Sequence, residues 1–175
     1  MVDAAKIISL LKTKEIISAP QVLDWMKSKD IKVLGALYVL TDEAWHRIKP
    51  ELGMEATCEF ILEYYKRCII ENPDSGDVLL NRYEAGWSFA SWFKHLWSKK
   101  PETDKILQKA KNILGELFIE GKQEIRECIV NAVLEHVFEH KEIPSFFEDW
   151  RNKPPLDDAY NMALEWGKEH WNKNE

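Results

Sequence analysis

The chain has 175 residues, with 24 Lys and Arg against 30 Asp and Glu, a net charge of -6, 45% hydrophobic residues and 8 tryptophans. A chain of this size buries roughly 70% of the surface of its extended form, so it needs neither disulfides nor a structural metal. Its acidic balance argues against the concentrated basic patch that neutralises nucleic-acid phosphates, and its longest apolar runs, such as Val33 to Leu40, fall far short of the roughly 20 residues of a membrane-spanning helix.

The opening Met1 to Lys12 lacks the basic start, unbroken apolar run and cleavage site of a secretory signal, so we expect the mature protein to be the whole chain. Cys58, Cys68 and Cys128 make an odd number at no metal-like spacing, which points to reduced core thiols in the cytoplasm.

Asp3 caps a first helix whose apolar residues Ile7, Ile8, Leu10, Leu11 and Ile16 recur on one face. Ser18, Pro20 and Gln21 form a capping-box pattern for a second helix through Val22, Leu23, Trp25 and Met26. Ile31 to Leu40 is dense in β-branched residues but has no second strand-like run to pair with, so a buried helix is expected there. Thr41-Asp42-Glu43 opens a short helix carrying Trp45 and Ile48, which Pro50 ends. From Glu55 to Glu71 the residues Cys58, Ile61, Leu62, Tyr65, Cys68 and Ile69 line one helical face. Asn72 to Gly76 is the clearest loop, and Asp77 starts the aromatic segment that follows. Thr103 begins a helix to about Glu120, with Gly121 as a left-handed stop, and Gln123 to His140 forms the next. Pro154-Pro155 introduces a last helix from Leu156 to about Trp171. The expectation is an all-α fold without a sheet: one domain over residues 1–175, a bundle of seven or eight helices.

Three constellations bear on function. In Tyr83 to Trp97, helical projection gathers Tyr83, Trp87, Phe89, Ala90, Phe93 and Leu96 into a very wide apolar arc, which predicts the most buried helix of the chain. Gly86 in its middle, at a cost of about 1 kcal/mol against Ala, implies that something approaches the backbone. Glu84, Ser88, Ser91 and His95 form the remaining narrow stripe. The plain reading is a solvated seam; the functional one is a pocket around Glu84, Trp87, Ser88, Ser91, Trp92 and His95.

The second constellation is His136, Glu139 and His140, which match the inverted zinc-peptidase spacing, with two imidazoles as metal ligands and Glu139 as the catalytic base. We expect the pair to be structural, with no cofactor and no catalytic residue. A small metal-dependent hydrolase is the alternative.

The third is the stretch from Glu116 to Asp149, with nine carboxylates against three bases. A solvated helix face explains it simply. The functional reading is a docking surface for a basic protein partner, with Glu127 and Glu135 supplying charge and Phe146, Phe147 and Trp150 as exposed anchors.

Leu134-Glu135-His136, Phe147-Glu148-Asp149-Trp150, the run from Ala159 to Gly167, and Tyr83-Glu84-Ala85-Gly86-Trp87 together resemble a group of small helical bacterial proteins of unknown function. The resemblance implies a bacterial cytosolic protein and carries over no catalytic residues. By analogy with small acidic immunity proteins, it suggests a non-catalytic binder of a protein partner, with neither nucleic acid nor membrane involved.

Overall fold

A computed structural model describes residues 2–171. The fold is all-α, as the 3.6-residue periodicity predicts, and its contacts cluster into two units that divide between Asn81 and Arg82, where the sequence was read as one domain. No helix among the described residues is long and apolar enough to cross a membrane.

The first unit holds α1 (Ala4–Leu11), α2 (Ala19–Trp25), α3 (Ile31–Glu43) and α4 (Met54–Glu71). Asp3 caps α1 as expected, accepting from the Lys6 amide at 2.7 Å. The helix stops at Leu11, however, and Ile16 beyond it is exposed. Ser18 stands at the α2 N-cap without making a side-chain cap bond, so the capping box is present in sequence only. α3 is helical and buried through Val33, Leu34, Ala36, Leu37 and Leu40, and it runs on to Glu43 in place of the separate helix expected from Thr41. A 3-10 turn, Trp45–Arg47, follows it. A two-residue parallel pair, β1 (Ile17–Ser18) with β2 (Ile48–Lys49), is the one departure here from a sheetless fold, and it is too short to carry an alternation signal. Arg47 fastens the chain after α1, donating to the carbonyls of Glu15 and Leu10 and to the Thr13 hydroxyl at 2.9–3.0 Å.

α4 ends at Asn72, whose φ of 47° places it in the left-handed region that Asn tolerates. The loop beyond is held from two sides. The Tyr64 hydroxyl donates to the Val78 carbonyl at 2.9 Å, and Gly35 lets that same carbonyl lie directly against the α3 backbone. Burial pushes the Tyr64 and Tyr65 phenols well above their ordinary range, and Tyr65 shares a 2.8 Å hydrogen bond with the Tyr38 hydroxyl.

The second unit holds α5 (Arg82–Trp97), α6 (Asp104–Glu120), α7 (Gln123–Cys128), α8 (Glu135–Phe138) and α9 (Leu156–Trp171). A π-helical segment, Ile129–Leu134, joins α7 to α8, so the single helix expected from Gln123 to His140 is a three-part run that ends at Phe138. Gly121 is extended, with φ -71° and ψ 150°, and is not a left-handed stop. Five of the six residues of the π segment are buried, which makes it more fully enclosed than α5. Gly86 does mark a close approach: a methyl there would meet the Ala132 Cβ at 2.7 Å and the Cys128 sulfur at 3.1 Å. The wide arc of α5 holds for Ala85, Phe89, Ala90, Phe93 and Leu96 but fails for Tyr83 and Trp87, which are 36% and 50% exposed. Trp87 lies at the rim of that arc, where a large ring can face water.

Gly35→Ala is expected to destabilise the first unit by about 2–3 kcal/mol, since its Cβ has to displace the Val78 backbone. Gly76→Ala, with nothing within 4 Å, is expected to change stability by less than about 0.5 kcal/mol. Thermal melting of the two variants checks this, and equal melting temperatures would refute the close-approach argument.

Candidate functional site

The segment after α8 decides which aromatic residues reach the surface. Pro144–Trp150 is a 3-10 helix, and its three-residue turn puts Phe147 and Trp150 on one side and Phe146 at the edge. That side faces inward. Phe147 is wholly buried, with ring centroids 5.9 Å from Phe93, 5.4 Å from Phe138 and 5.0 Å from Trp150. Trp150 is buried beside Gly115, where an added methyl would meet its indole at 3.4 Å. Phe147 and Trp150 are therefore core residues, and the expectation that they anchor a partner is corrected. Phe146 is half-buried, edge-on to Trp97 at 5.6 Å.

The same segment is fastened by a buried cation. Lys111 of α6 is 5% exposed, and its ammonium donates to the Phe146 carbonyl at 2.7 Å and to the Asp149 carboxylate. It also lies 5.0 Å from the Phe146 ring centroid. Burial works to raise the Asp149 pKa, but hydrogen bonds from Lys111 and Lys153 outweigh it and hold the carboxyl below its usual value. Glu148 is held low by its bond to Arg151 at 2.6 Å, and it also accepts from the Tyr160 hydroxyl at 3.2 Å. Two of the nine carboxylates of the acidic stretch are thus neutralised locally. Glu127 remains exposed, accepting from Gln123 at 3.0 Å. Glu135 is half-buried, and burial pushes its pKa up.

The histidine motif does not assemble as its spacing suggests. α8 ends at Phe138, so Glu139 and His140 follow in a turn and His140 is exposed. His136 Nδ1 lies 3.1 Å from Glu139 Oε1, engaging the proposed base instead of sharing a ligand face with His140. Among the described residues no group of three or more His, Cys, Asp or Glu side chains is arranged to hold a metal ion. Glu139 also faces the Trp166 indole nitrogen at 3.5 Å, and Trp166 stacks on His170 at 4.3 Å. This seam between α8 and α9 is tight because Gly167 admits the Phe138 carbonyl, which also accepts from the Trp171 indole at 2.9 Å.

On α5 the polar stripe stays a line. Ser91 and His95 are exposed, Glu84 and Ser88 are half-buried, and about 16 Å of helix rise separates Glu84 from His95. Trp92 is half-buried, packed edge-on against Phe89 at 5.8 Å. Trp87 stands apart from Trp92 and pairs instead with Tyr83, at 6.2 Å between ring centroids. Tyr83 is 36% exposed, and its phenol is shifted upward by burial and then by the nearby Cys128 and Glu127. The structure thus brings Tyr83, Trp87 and Glu127 to one surface, a grouping the sequence reading missed because it placed Tyr83 and Trp87 in the core. Their i, i+4 spacing was the available signal.

No family model matches the chain, and neither the curated proteins nor the solved structures yield a match.

Trp150→Ala is expected to lower stability by about 3–5 kcal/mol with no partner present, because it empties a packed core position. Denaturant unfolding measures it, and a loss below about 1 kcal/mol would return Trp150 to the surface. A second expectation concerns pH. Because the folded-state pKa of Glu135 is raised, the stability tied to its proton is complete below the unfolded value of about 4.3 and is lost as pH rises through the folded value. Glu135→Gln should therefore melt above the parent at pH 7, with the difference vanishing below about pH 4. An equal difference at both pH values would contradict the burial argument.

Proposed function

We propose that this chain is a non-catalytic interaction protein of the bacterial cytoplasm, of an immunity-like or regulatory kind, which binds a basic protein partner through Tyr83, Trp87 and Glu127. The observation that carries the proposal is the half-exposed Trp87 paired with Tyr83 on a helix whose other face is packed through Ala85, Phe89, Phe93 and Leu96. Rigid aromatic side chains supply contact area at low entropic cost, and Trp and Tyr are the residues most enriched among binding hot spots. Glu127 near Tyr83 adds a carboxylate that attracts a cationic surface. The net charge of -6 extends that attraction beyond contact distance. Among the described residues Cys58, Cys68 and Cys128 are buried thiols outside any disulfide, and burial pushes Cys68 up to about 11 and Cys128 up to about 12. Such inert thiols suit a reducing compartment.

Phe146, half-buried and edge-on to Trp97, borders the segment fastened by Lys111 and contributes little free aromatic surface. The anchor role passes to α5, and Glu127 keeps the steering role first read for the acidic stretch.

The test is a photocrosslinking amino acid placed at position 87 in the native host. It should capture a basic protein, and capture should weaken in the Glu127→Lys variant. With that partner purified, Trp87→Ala should raise the off-rate about tenfold or more while leaving the melting temperature nearly unchanged, and Glu127→Lys should slow association with a reduced salt dependence. Capture of no protein, or of an acidic one insensitive to Glu127→Lys, would refute the reading.

A further inference from the structure

A groove of about 210 Å³ opens in the first unit, lined by Thr41 at the end of α3, Trp45, Ile48, Glu51, Leu52 and Thr57 in the first turns of α4. It is smaller than the roughly 300 Å³ lower bound of drug-sized sites, which leaves room for a single slender chain. Trp45 is 63% exposed, an unusual position for an indole with a groove beside it.

The polar lining is one-sided in its hydrogen-bonding capacity. The Thr41 hydroxyl donates to the Tyr38 carbonyl at 3.0 Å, and the Thr57 hydroxyl donates to the Gly53 carbonyl at 3.1 Å. With both hydroxyl protons committed to their own helices, each threonine offers a ligand only lone pairs. Glu51 is an acceptor as well, and the Trp45 ring presents a π-face to cations. Apart from the Trp45 indole N–H, no lining side chain brings a donor. Ile48 and Leu52 supply the apolar part, Ile48 being almost wholly buried.

From this we propose that the groove beside Trp45 binds a primary alkylammonium chain, with its methylenes on Ile48 and Leu52 and its ammonium between Glu51, the threonine oxygens and the Trp45 ring. An ammonium has three donors and no acceptor, the complement of the lining. An anion would meet Glu51, and a neutral alcohol would bring no charge for Glu51 to attract. The positive end of α4, which works against a cation, is offset by Glu55 in its first turn.

The chain carries its own weak competitor. The Lys49 ammonium lies 3.7 Å from Glu51 Oε1, beyond the roughly 2.7–2.9 Å of a charge-assisted hydrogen bond, with both side chains well exposed. Such a pair is readily exchanged for a ligand's ammonium. The groove lies within the first unit and the Tyr83 surface within the second, so failure of either proposal leaves the other standing.

The test titrates n-pentylammonium into ¹⁵N-labelled protein at pH 7 and follows the Trp45 indole N–H resonance, assigned through Trp45→Phe. The expected result is a saturable shift, with pentanol shifting it much less and pentanoate not at all. Glu51→Gln should weaken binding about fivefold, and Lys49→Gln should strengthen it by removing the competitor, with both variants melting like the parent. Equal responses to pentylammonium and pentanol, or unchanged affinity in Glu51→Gln, would overturn the proposal. A parallel titration with acetyl-Gly-Lys-Gly-amide separates the sources. Tighter binding than pentylammonium assigns the groove to a lysine side chain, weaker binding assigns it to a free amine, and no saturable response to either cation overturns the assignment.

Discussion

The ammonium of Lys111 organises the second unit. It is taken out of water on α6 and given the Phe146 carbonyl and the Asp149 carboxylate as partners, with the Phe146 ring beside it. A buried cation without such partners would cost several kcal/mol, so the segment that supplies them has little freedom to leave. Once Phe146 and Asp149 are held, the 3-10 turn between them drives Phe147 and Trp150 inward against Phe93, Phe138 and the glycine face of α6. One charge on one helix thereby sets which aromatic side chains are core and which are surface.

Small residues do the complementary work. Gly86 admits the run from Cys128 to Ala132, and Gly167 admits the Phe138 carbonyl. In the first unit Gly35 admits the Val78 carbonyl, and the Tyr64 hydroxyl bonds that same oxygen. At each place the backbone lies closer than any side chain would allow, and the neighbouring large residues then pack around that contact.

Among the described residues nine large apolar side chains stay exposed, and three of them are aromatic: Trp45, Tyr83 and Trp87. Tyr83 and Trp87 gain nothing from the core of the second unit beyond their edges, and Trp45 gains little from the first. In a protein whose interior is otherwise close-packed, an indole left half in water is a feature that packing does not account for. Both functional proposals rest on such indoles. They differ in chemistry because an exposed, tilted aromatic pair with one carboxylate suits a protein surface, whereas a small groove of acceptors suits a single cationic chain. The histidine motif lacks this quality, since His136 already has Glu139 as a partner and His140 lies past the end of the helix.

Much of the secondary structure was legible in the chain itself, because helix formation depends on local periodicity and on end signals. Asp3 capped its helix, the face from Cys58 to Ile69 was buried apart from the half-buried Ile61, and Gly86 marked a real backbone approach. Side-chain exposure at the margins was not legible. Helical projection placed Trp87 in the apolar arc, but the neighbours that would have covered it are set by contacts distant in sequence. Phe147 and Trp150 looked like anchors because they sit among carboxylates, and only the distant Lys111 shows that the carboxylates are tied down and the rings turned in. The break of the run from Gln123 into α7, a π segment and α8 has no signature in a period near 3.6, and the end of α8 at Phe138 removed the helical face on which the zinc-peptidase spacing depends. Thus the sequence alone determined the all-α class and most helix positions, since those follow from interactions within a few residues. Tertiary structure decided which aromatics and carboxylates remained available to a partner, because burial and pairing depend on side chains brought together from far apart in the chain.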